Sequence, residues 1–169
     1  MKDSITVERD GQHGPTSISG TRVIVEVIRD GRHGPEVIRR VESTNTVVSI
    51  GKKIGIQLIA GNTTKVYDQI RIGTSGVAVS SAHHNVQSPV AGTLTTVDSM
   101  GLSGATRTFN WVHSYPSGVG SISAANIQEV CILNQGTSPG GSAWNRSTFS
   151  AVSKTEDDKL KITYKARIT

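Results

Sequence analysis

The sequence predicts a mainly β protein: an antiparallel β-sandwich, jelly-roll-like in its connections, with one short α-helix packed at one end. Gly, Ser, Thr and Val are abundant, whereas aromatic residues make up only 4% of the 169 residues. Thr and Val favour strands, and Gly and Ser favour the turns between them. Roughly eight strand-like segments are separated by turn signals, which is typical of a sandwich. A chain of this length fits one domain with a self-sufficient core.

A repeated block near the N-terminus predicts the first turns. The segment VERDGQHGP begins at Val7, and VIRDGRHGP begins at Val27. β-rich flanks surround the second copy, which therefore predicts a hairpin with Asp30-Gly31 at the reversal and Pro35 starting the return strand. The first copy has weaker flanks. They predict a short hairpin or arm over residues 1–20, ahead of a sandwich domain over residues 21–169.

The histidines of the sequence raise the alternative of a metal site. His13 and His33 occupy equivalent positions in the two repeats, each with a nearby aspartate. Two turn tips share an ion only if they meet, and nothing in the strand pattern requires that, so we predict that both blocks are turns and bind no metal. His83 and His84 lie in a long polar loop over residues 76–89. Adjacent side chains point to opposite sides of an extended chain, so we interpret this pair as part of a loop.

One segment breaks the β pattern and predicts the helix. Within TNTVVSIGKKIGIQLIAGN, the apolar residues at spacings of three and four are Val47, Ile50, Ile54 and Leu58. This stripe predicts a helix over residues 49–60 that buries its last three members against the sheet. Gly51 and Gly55 would each weaken the helix by roughly 1 kcal/mol relative to Ala, unless they permit close packing on the sheet.

The later strands follow from the distribution of apolar residues. NIQEVCILN is almost continuously apolar, as in a central buried strand, and KLKITYKARI alternates apolar residues with Lys, Thr and Arg. The second pattern predicts one buried face and one solvated, basic face. GTLTTVDSM and TRTFNWVHSY are expected to pair, with Phe109, Trp111 and His113 on one face.

Charge and targeting signals bear on the class of protein. The formal net charge is +5, but the basic residues are scattered in runs of at most two, so we expect no nucleic-acid partner. The N-terminus lacks the apolar core of a signal peptide, and no segment approaches the roughly 20 apolar residues of a membrane span. We therefore expect a soluble chain made in a reducing cytoplasm. Its lone Cys131, within IQEVCIL, is expected to be a buried apolar residue rather than a nucleophile.

The search for chemistry predicts no catalytic residue, cofactor or metal. The chain has no H-E-x-x-H and no C-x-x-C pattern. The acidic segment TEDDK, which begins at Thr155, could hold a cation, but such a segment more often forms the solvated turn before a last strand. Glu129 is the one carboxylate inside a predicted core strand. A buried carboxylate needs a partner, such as Arg107 or Arg146, and would then be structural.

Several of these segments together resemble a module of tailed-bacteriophage virion structural proteins. That module runs from an Ile-x-Ile-Gly-Thr-x-Gly strand end, through an aromatic strand and an I-x-E-x-x-L strand. It ends with an aromatic strand, a Ser/Thr-Lys-Thr-x-Asp-Asp turn and an alternating final strand. The resemblance covers roughly residues 21–169. The matching residues are Ile70, Ile72, Gly73, Thr74, Gly76, Ile127, Glu129, Ile132, Phe149, Lys154, Thr155, Asp157 and Asp158.

The resemblance implies a non-enzymatic building block of a virion that is assembled in the host cytoplasm. Its first expectation is a capsid decoration or cement protein on the outside of the head, and its second is a tail fibre, collar or baseplate component. The implied partners are further copies of the chain, as a homotrimer, and the major capsid protein or another virion protein. No membrane and no nucleic acid are implied as partners.

The N-terminal arm is the predicted contact, because an arm of this kind can add a strand to a neighbour's sheet. The interface candidates are Ile5, Val7, Arg9 and Ile18. A stand-alone carbohydrate-binding module is the alternative from another class, in which Trp111, Tyr115 and Trp144 would stack on a sugar. For these three aromatic residues we favour packing in the core.

Overall fold

The described residues form two antiparallel sheets, one helix of three turns and one short helix. The computed structural model describes residues 5–7, 16–44, 46–59, 61, 66–103, 108–118, 120–123, 125–134 and 142–168. In chain order the elements are β1 (Ile5–Val7), β2 (Thr16–Gly31), β3 (Gly34–Thr44), β4 (Thr46–Val47), α1 (Ser49–Ile59), β5 (Gln69–Gly73), β6 (Thr95–Thr96), β7 (Ser99–Ser103), β8 (Thr108–Tyr115), α2 (Gly120–Ser123), β9 (Ile127–Leu133), β10 (Ala143–Val152) and β11 (Asp158–Ile168).

The two sheets confirm the predicted mainly β, sandwich-like architecture. The first sheet has six strands in the order β1-β2-β11-β8-β7, with β3 also paired to β2. The second has five strands in the order β4-β10-β9-β5-β6. The two segments with the clearest apolar patterns lie inside the sheets: β9 is the middle strand of the second sheet, and β11 lies between β2 and β8. The jelly-roll connectivity stays a prediction.

The second repeat forms the predicted hairpin, but the reversal lies two residues later than expected. Asp30 and Gly31 are the last residues of β2 and pair with Pro35 and Gly34. Residues 32–33 form the turn between the strands. The positive φ of 113° belongs to Gly34, a conformation that glycine adopts at little steric cost. The prediction that Asp30-Gly31 forms the turn is therefore wrong, whereas the position of the hairpin is right.

The core lies between the two sheets and follows the period-2 alternation of their strands. In β11, Leu160, Ile162 and Tyr164 are fully buried, whereas Lys161 and Lys165, on the opposite face, are only half-buried. The Tyr164 hydroxyl donates a hydrogen bond of 3.2 Å to the main-chain oxygen of Val130 in the second sheet. The predicted split into a buried face and a solvated, basic face is confirmed.

The helix prediction is confirmed, with α1 spanning Ser49–Ile59. Ile50 is half-buried and packs against the core, whereas the side chains of Ile54 and Leu58 lie outside the described part of the structure. Gly51 allows the close packing that the sequence left open, because a Cβ there would overlap the main chain of Trp144 in β10. Gly51 therefore brings the helix directly onto the sheet.

The predicted pairing of GTLTTVDSM with TRTFNWVHSY needs correction. β6 takes Thr95 and Thr96 to the second sheet, where they pair with β5. On the side away from β11, β8 pairs with β7, which begins only at Ser99. One predicted strand is thus divided between the two sheets, because the chain crosses from one to the other at residues 97–98. Trp111 and His113 are buried on the core face of β8, as expected, and Phe109 packs against the core.

Among the described residues, neither helix is long and apolar enough to cross a membrane.

Candidate functional site

A buried ion pair lies at the centre of the second sheet. Glu129 on β9 and Arg146 on β10 both have fully buried side chains. Arg146 Nε donates to Glu129 Oε2 over 2.7 Å, and Arg146 Nη2 lies 2.7 Å from the same oxygen. Antiparallel pairing of the two strands brings these residues together, since Arg146 is opposite Cys131 and Thr148 is opposite Glu129. Arg146 is one of the two partners that the sequence offered for Glu129. The other, Arg107, lies outside the described residues.

The carboxylate of Glu129 also holds the long loop between β5 and β6. It accepts hydrogen bonds from the main-chain N–H groups of Ser75 at 3.2 Å, Gln87 at 2.9 Å and Ser88 at 2.8 Å. Arg146 Nη1 donates to the main-chain oxygen of Val77 over 3.0 Å. One buried pair therefore fixes both ends of a loop that has little regular structure of its own. Such a set of bonds compensates the cost of burying two charges.

Glycine at position 73 is required by the close approach of this carboxylate. A Cβ on Gly73 would overlap Glu129 Oε1 and would lie 2.5 Å from the main-chain oxygen of Ser88. Gly76, three residues on, is similarly close to the side chain of Gln128, at 2.7 Å. Gly73 thus permits the close packing around Glu129, and Gly76 leaves room for the side chain of Gln128.

His83 is the member of this cluster that sequence reasoning missed. Its Nδ1 accepts a hydrogen bond from the main-chain N–H of Ser80 and lies 3.1 Å from Arg146 Nη1. Burial, and then the charge of Arg146, lower the pKa of His83 from its ordinary value. The two adjacent histidines differ, as expected for side chains on opposite sides of the chain, since His84 is exposed. The sequence signal for this contact is the adjacency of the two histidines. Adjacent side chains point to opposite sides of an extended chain, so one of the two should face the protein.

We expect the stability of the protein to fall in mildly acidic solution because of His83. In the unfolded chain the ring of His83 takes up a proton near pH 6.5. In the folded chain its lowered pKa disfavours that proton, so unfolding is favoured as the pH drops below about 6.5. His83→Gln should remove this part of the pH dependence between about pH 7.5 and pH 5.5 in urea unfolding. The matched control is His84→Gln, at an exposed neighbour, which should keep most of the wild-type slope because His84 is the weakest of the groups that act on the pKa of His83. Equal slopes for the wild type and His83→Gln would contradict the assignment.

A second polar cluster closes the turn before β11. Lys154 is buried, and its Nζ donates to the main-chain oxygens of Asp158 at 3.0 Å and Thr155 at 3.2 Å and to Ser123 Oγ at 3.3 Å. Asp158 accepts from Arg29 Nε at 2.8 Å and from the N–H and hydroxyl groups of Thr155. The TEDDK segment therefore forms a turn, as predicted. Main-chain oxygens of this segment accept hydrogen bonds from the ammonium group of Lys154.

Asp158 should give the protein a second, more acidic stability transition. The side-chain bond from Arg29, followed by the bonds from Thr155, holds the pKa of Asp158 well below its usual range. The contribution of Asp158 to the free energy of unfolding is thus complete above about pH 3.9, the pKa of an aspartate in the unfolded chain. This contribution is lost as the pH falls below that value. In thermal melts, the advantage of the wild type over Asp158→Asn should be present near neutral pH and shrink below about pH 4. Asp157→Asn, at an exposed neighbour, should show no such change.

The other residues singled out by sequence lie apart from these clusters. Within the interface candidates, Ile5 and Ile18 are register partners, and Val7 pairs with Thr16, so β1 lies on the chain's own β2. Arg9 lies outside the described residues, as does His13, and the interface assignment stays a prediction. His33 lies at the turn of the β2–β3 hairpin.

Cys131 and the three aromatic residues belong to the interior. Burial raises the pKa of the Cys131 thiol to about 12, which removes the thiolate that a nucleophile needs. Trp111, Tyr115 and Trp144 are all buried, which confirms core packing. Two hydrogen bonds fix the positions of the first two, from Trp111 Nε1 to the main-chain oxygen of Tyr67 at 2.7 Å and from the Tyr115 hydroxyl to that of Thr93 at 2.8 Å.

One short segment has the spacing of a hydrolase motif. Residues 136–140, GTSPG, read G-x-S-x-G, a pattern that places a serine nucleophile on a sharp turn from a strand into a helix. These residues lie outside the described part of the chain. The elements before and after them, β9 and β10, are antiparallel neighbours in one sheet. The strand-to-helix context of the motif is therefore not present in the flanking elements.

Within the described ranges, no group of three or more His, Cys, Asp or Glu side chains is placed to hold a metal ion. A scan against protein-family models found no matching family, and searches of curated proteins and of solved structures found no match.

Proposed function

We propose that this chain is a non-enzymatic structural protein of a tailed-bacteriophage virion, bound as a decoration or cement protein to the outside of the head. The observation that carries the proposal is where the phage-like motifs lie in the fold. Gly73 and Glu129 build the first buried cluster, and Lys154 and Asp158 build the second. Four residues of the resemblance thus take part in the two buried polar clusters that hold the loop after β5 and the turn before β11.

A rigid scaffold suits a protein that contributes shape rather than chemistry. The side chains of Glu129 and Arg146 form hydrogen bonds with each other, across two strands of the sheet, and with main-chain groups of the loop between β5 and β6. Asp158 and Lys154 likewise bond to the turn that they close. Charged groups committed in this way hold loops in one conformation and are not presented to a substrate. We infer that this chain acts through its surface.

Attachment is proposed to involve the N-terminal arm, together with self-association of the chain. β2 begins at Thr16 and continues as a single strand to Gly31, so the proposed boundary at residue 20 falls inside it. Removal of residues 1–15 leaves all of β2 in place and is the sharper truncation. A trimer was expected from the resemblance and stays a prediction, as does a location on the head rather than on a tail fibre, collar or baseplate.

Particle binding tests the proposal. The chain would be mixed with empty heads assembled from a tailed-phage major capsid protein, and separately with purified tails, and then sedimented. Co-sedimentation with heads supports decoration, and co-sedimentation with tails alone moves the protein to the tail. Deletion of residues 1–15 should leave the melting transition in place and weaken binding. A chain that binds neither particle but is retained on immobilised glycans would overturn the proposal in favour of a carbohydrate-binding module.

A further inference from the structure

The edge strands of the two sheets differ in how they are protected. An edge strand presents unpaired main-chain N–H and C=O groups, and proteins usually protect them by short length, charge, proline or a cover. β4 and β6 have two residues each, and β1 has three. β3 contains Pro35 and is covered in part by β10, because Arg39 and Ser43 donate to main-chain oxygens of that strand. Its charged residues are Glu36, Arg39, Arg40 and Glu42.

β7 is longer than β1, β4 and β6, and among the described residues no strand pairs with its outer side. Its sequence, Ser-Met-Gly-Leu-Ser, contains neither a charge nor a proline. It ends the strand order of the first sheet, and β8 is its neighbour on the other side. Met100 is 46% exposed and Leu102 is 68% exposed. Their register partners on β8 are Trp111 and Phe109, so the two exposed side chains continue the core face of the sheet beyond its edge.

The sequence of β7 presents the same order of residue types when read in either direction along the strand. Gly101 is its centre, with an apolar residue on each side and a serine at each end. If a second copy were placed antiparallel about a two-fold axis beside Gly101, Ser99 would face Ser103 of the second copy. Met100 would then face Leu102 of the second copy. A symmetric contact requires such self-complementarity, because the same patch meets itself.

We propose that β7 is the self-association site of this chain, and that the partner is a second copy whose β7 pairs with it antiparallel. The first sheets of the two copies then form one continuous sheet, with Met100 and Leu102 of each copy packed together on the core face. The proposal rests on the self-association included in the proposed function and names its contact. It predicts a two-fold pair, where the resemblance led to the expectation of a trimer.

The size of the contact sets its strength. A single short strand on each side buries less than the roughly 1,200 Å² of a standard stable interface, so the isolated dimer should form only at high protein concentration. On a particle that carries many copies, each attached copy raises the effective concentration for its neighbour. A weak two-fold contact between neighbouring copies would then add to the stability of the coat.

The first test is the mass of the isolated chain in solution, which needs no particle. Sedimentation velocity over a concentration series should show a monomer–dimer equilibrium of the 17.9-kDa chain. Leu102→Lys, which adds a charge to each side of the contact, should raise the dimer dissociation constant roughly tenfold or more. Val37→Lys is the matched control, because Val37 is a 48% exposed apolar residue on another edge strand of the same sheet, β3. It should leave the equilibrium unchanged.

The second test probes the register of the contact. A Cβ at Gly101 has no atom within 4 Å, so Gly101→Cys should fold normally and place two thiols beside the two-fold axis. Mild oxidation should give a disulfide-linked dimer, whereas Ser117→Cys, at an exposed position, should stay monomeric. Three results would overturn the proposal: a strict monomer at every concentration, a trimer, or a dimer indifferent to Leu102→Lys. A β7 dimer that does not bind heads or tails would instead refute the virion role alone.

Discussion

Glu129→Leu should destabilise the protein by roughly 3–5 kcal/mol, the cost of leaving a buried charge without its partner. Arg146 would keep its charge in a fully buried position without the carboxylate that compensates it. The N–H groups of Ser75, Gln87 and Ser88 would lose their acceptor at the same time. Domains of this kind have a total free energy of unfolding of about 5–15 kcal/mol. The variant should therefore unfold at a much lower urea concentration than the wild type.

Controls separate the ion pair from the loop that it holds. Glu36→Gln removes an exposed carboxylate from β3 and should change the free energy of unfolding by at most about 0.5 kcal/mol. Glu129→Leu combined with Arg146→Met replaces both charges by apolar groups. That double variant should recover part of the loss, because no unpaired charge remains. It should not recover all of it, because the three N–H groups of the loop remain without their acceptor.

Proteolysis gives an independent measure of the same effect. In the wild type, Glu129 and Arg146 bond to Ser75, Val77, Gln87 and Ser88, so the loop over residues 74–94 should resist limited proteolysis. In Glu129→Leu it should be the first segment cut, at urea concentrations that leave the sheets folded. An intact loop in a variant destabilised by less than about 0.5 kcal/mol would show that the bonds contribute little.

The sequence predicts the centre of this cluster and misses its periphery, for a physical reason. A glutamate within a continuously apolar strand is expected to be buried, and burial requires a cationic partner. The local pattern therefore predicts a partnered Glu129 and leaves two candidates for the partner, Arg107 and Arg146. The bonds to the loop depend on where residues 74–94 return to the sheet, and no period in the sequence records that path. The prediction that His83 lies in a loop is right, but its position 3.1 Å from Arg146 does not follow from the sequence.

The limits of the strand predictions have a similar origin. β9 is almost continuously apolar and β11 alternates apolar with polar residues, and these patterns are strong enough to specify both strands without knowledge of their neighbours. Residues 95–103 are divided between two sheets, because Thr95 and Thr96 pair with β5, whereas Ser99–Ser103 pair with β8. Both halves have similar composition, so only tertiary pairing tells them apart. The exposure of Met100 and Leu102 has the same cause. Their strand lies at the edge because of how the strands pair in the folded chain, which the local sequence does not record.

Tyr164→Ala should be the second most damaging of these substitutions, at roughly 3–5 kcal/mol, the range for truncating a buried aromatic side chain. Tyr164 is fully buried on β11. Its register partners are Val23 on β2 and Trp111 on β8, so truncation opens a cavity beside both neighbouring strands. The remaining groups lie in sheets that many main-chain hydrogen bonds hold in place, and they cannot collapse fully into the space.

Tyr164→Phe divides this cost between packing and hydrogen bonding. It keeps the ring and removes only the hydroxyl that donates to Val130 in the opposite sheet, so it should cost about 0.5–1.5 kcal/mol in urea unfolding. Thr163→Ala, on the opposite face of the same strand, should cost less than Tyr164→Ala, because Thr163 is only half-buried. If Tyr164→Phe were as damaging as Tyr164→Ala, the hydroxyl bond between the sheets would be the main contribution. If both were mild, the other buried side chains between the two sheets would contribute most of the packing energy.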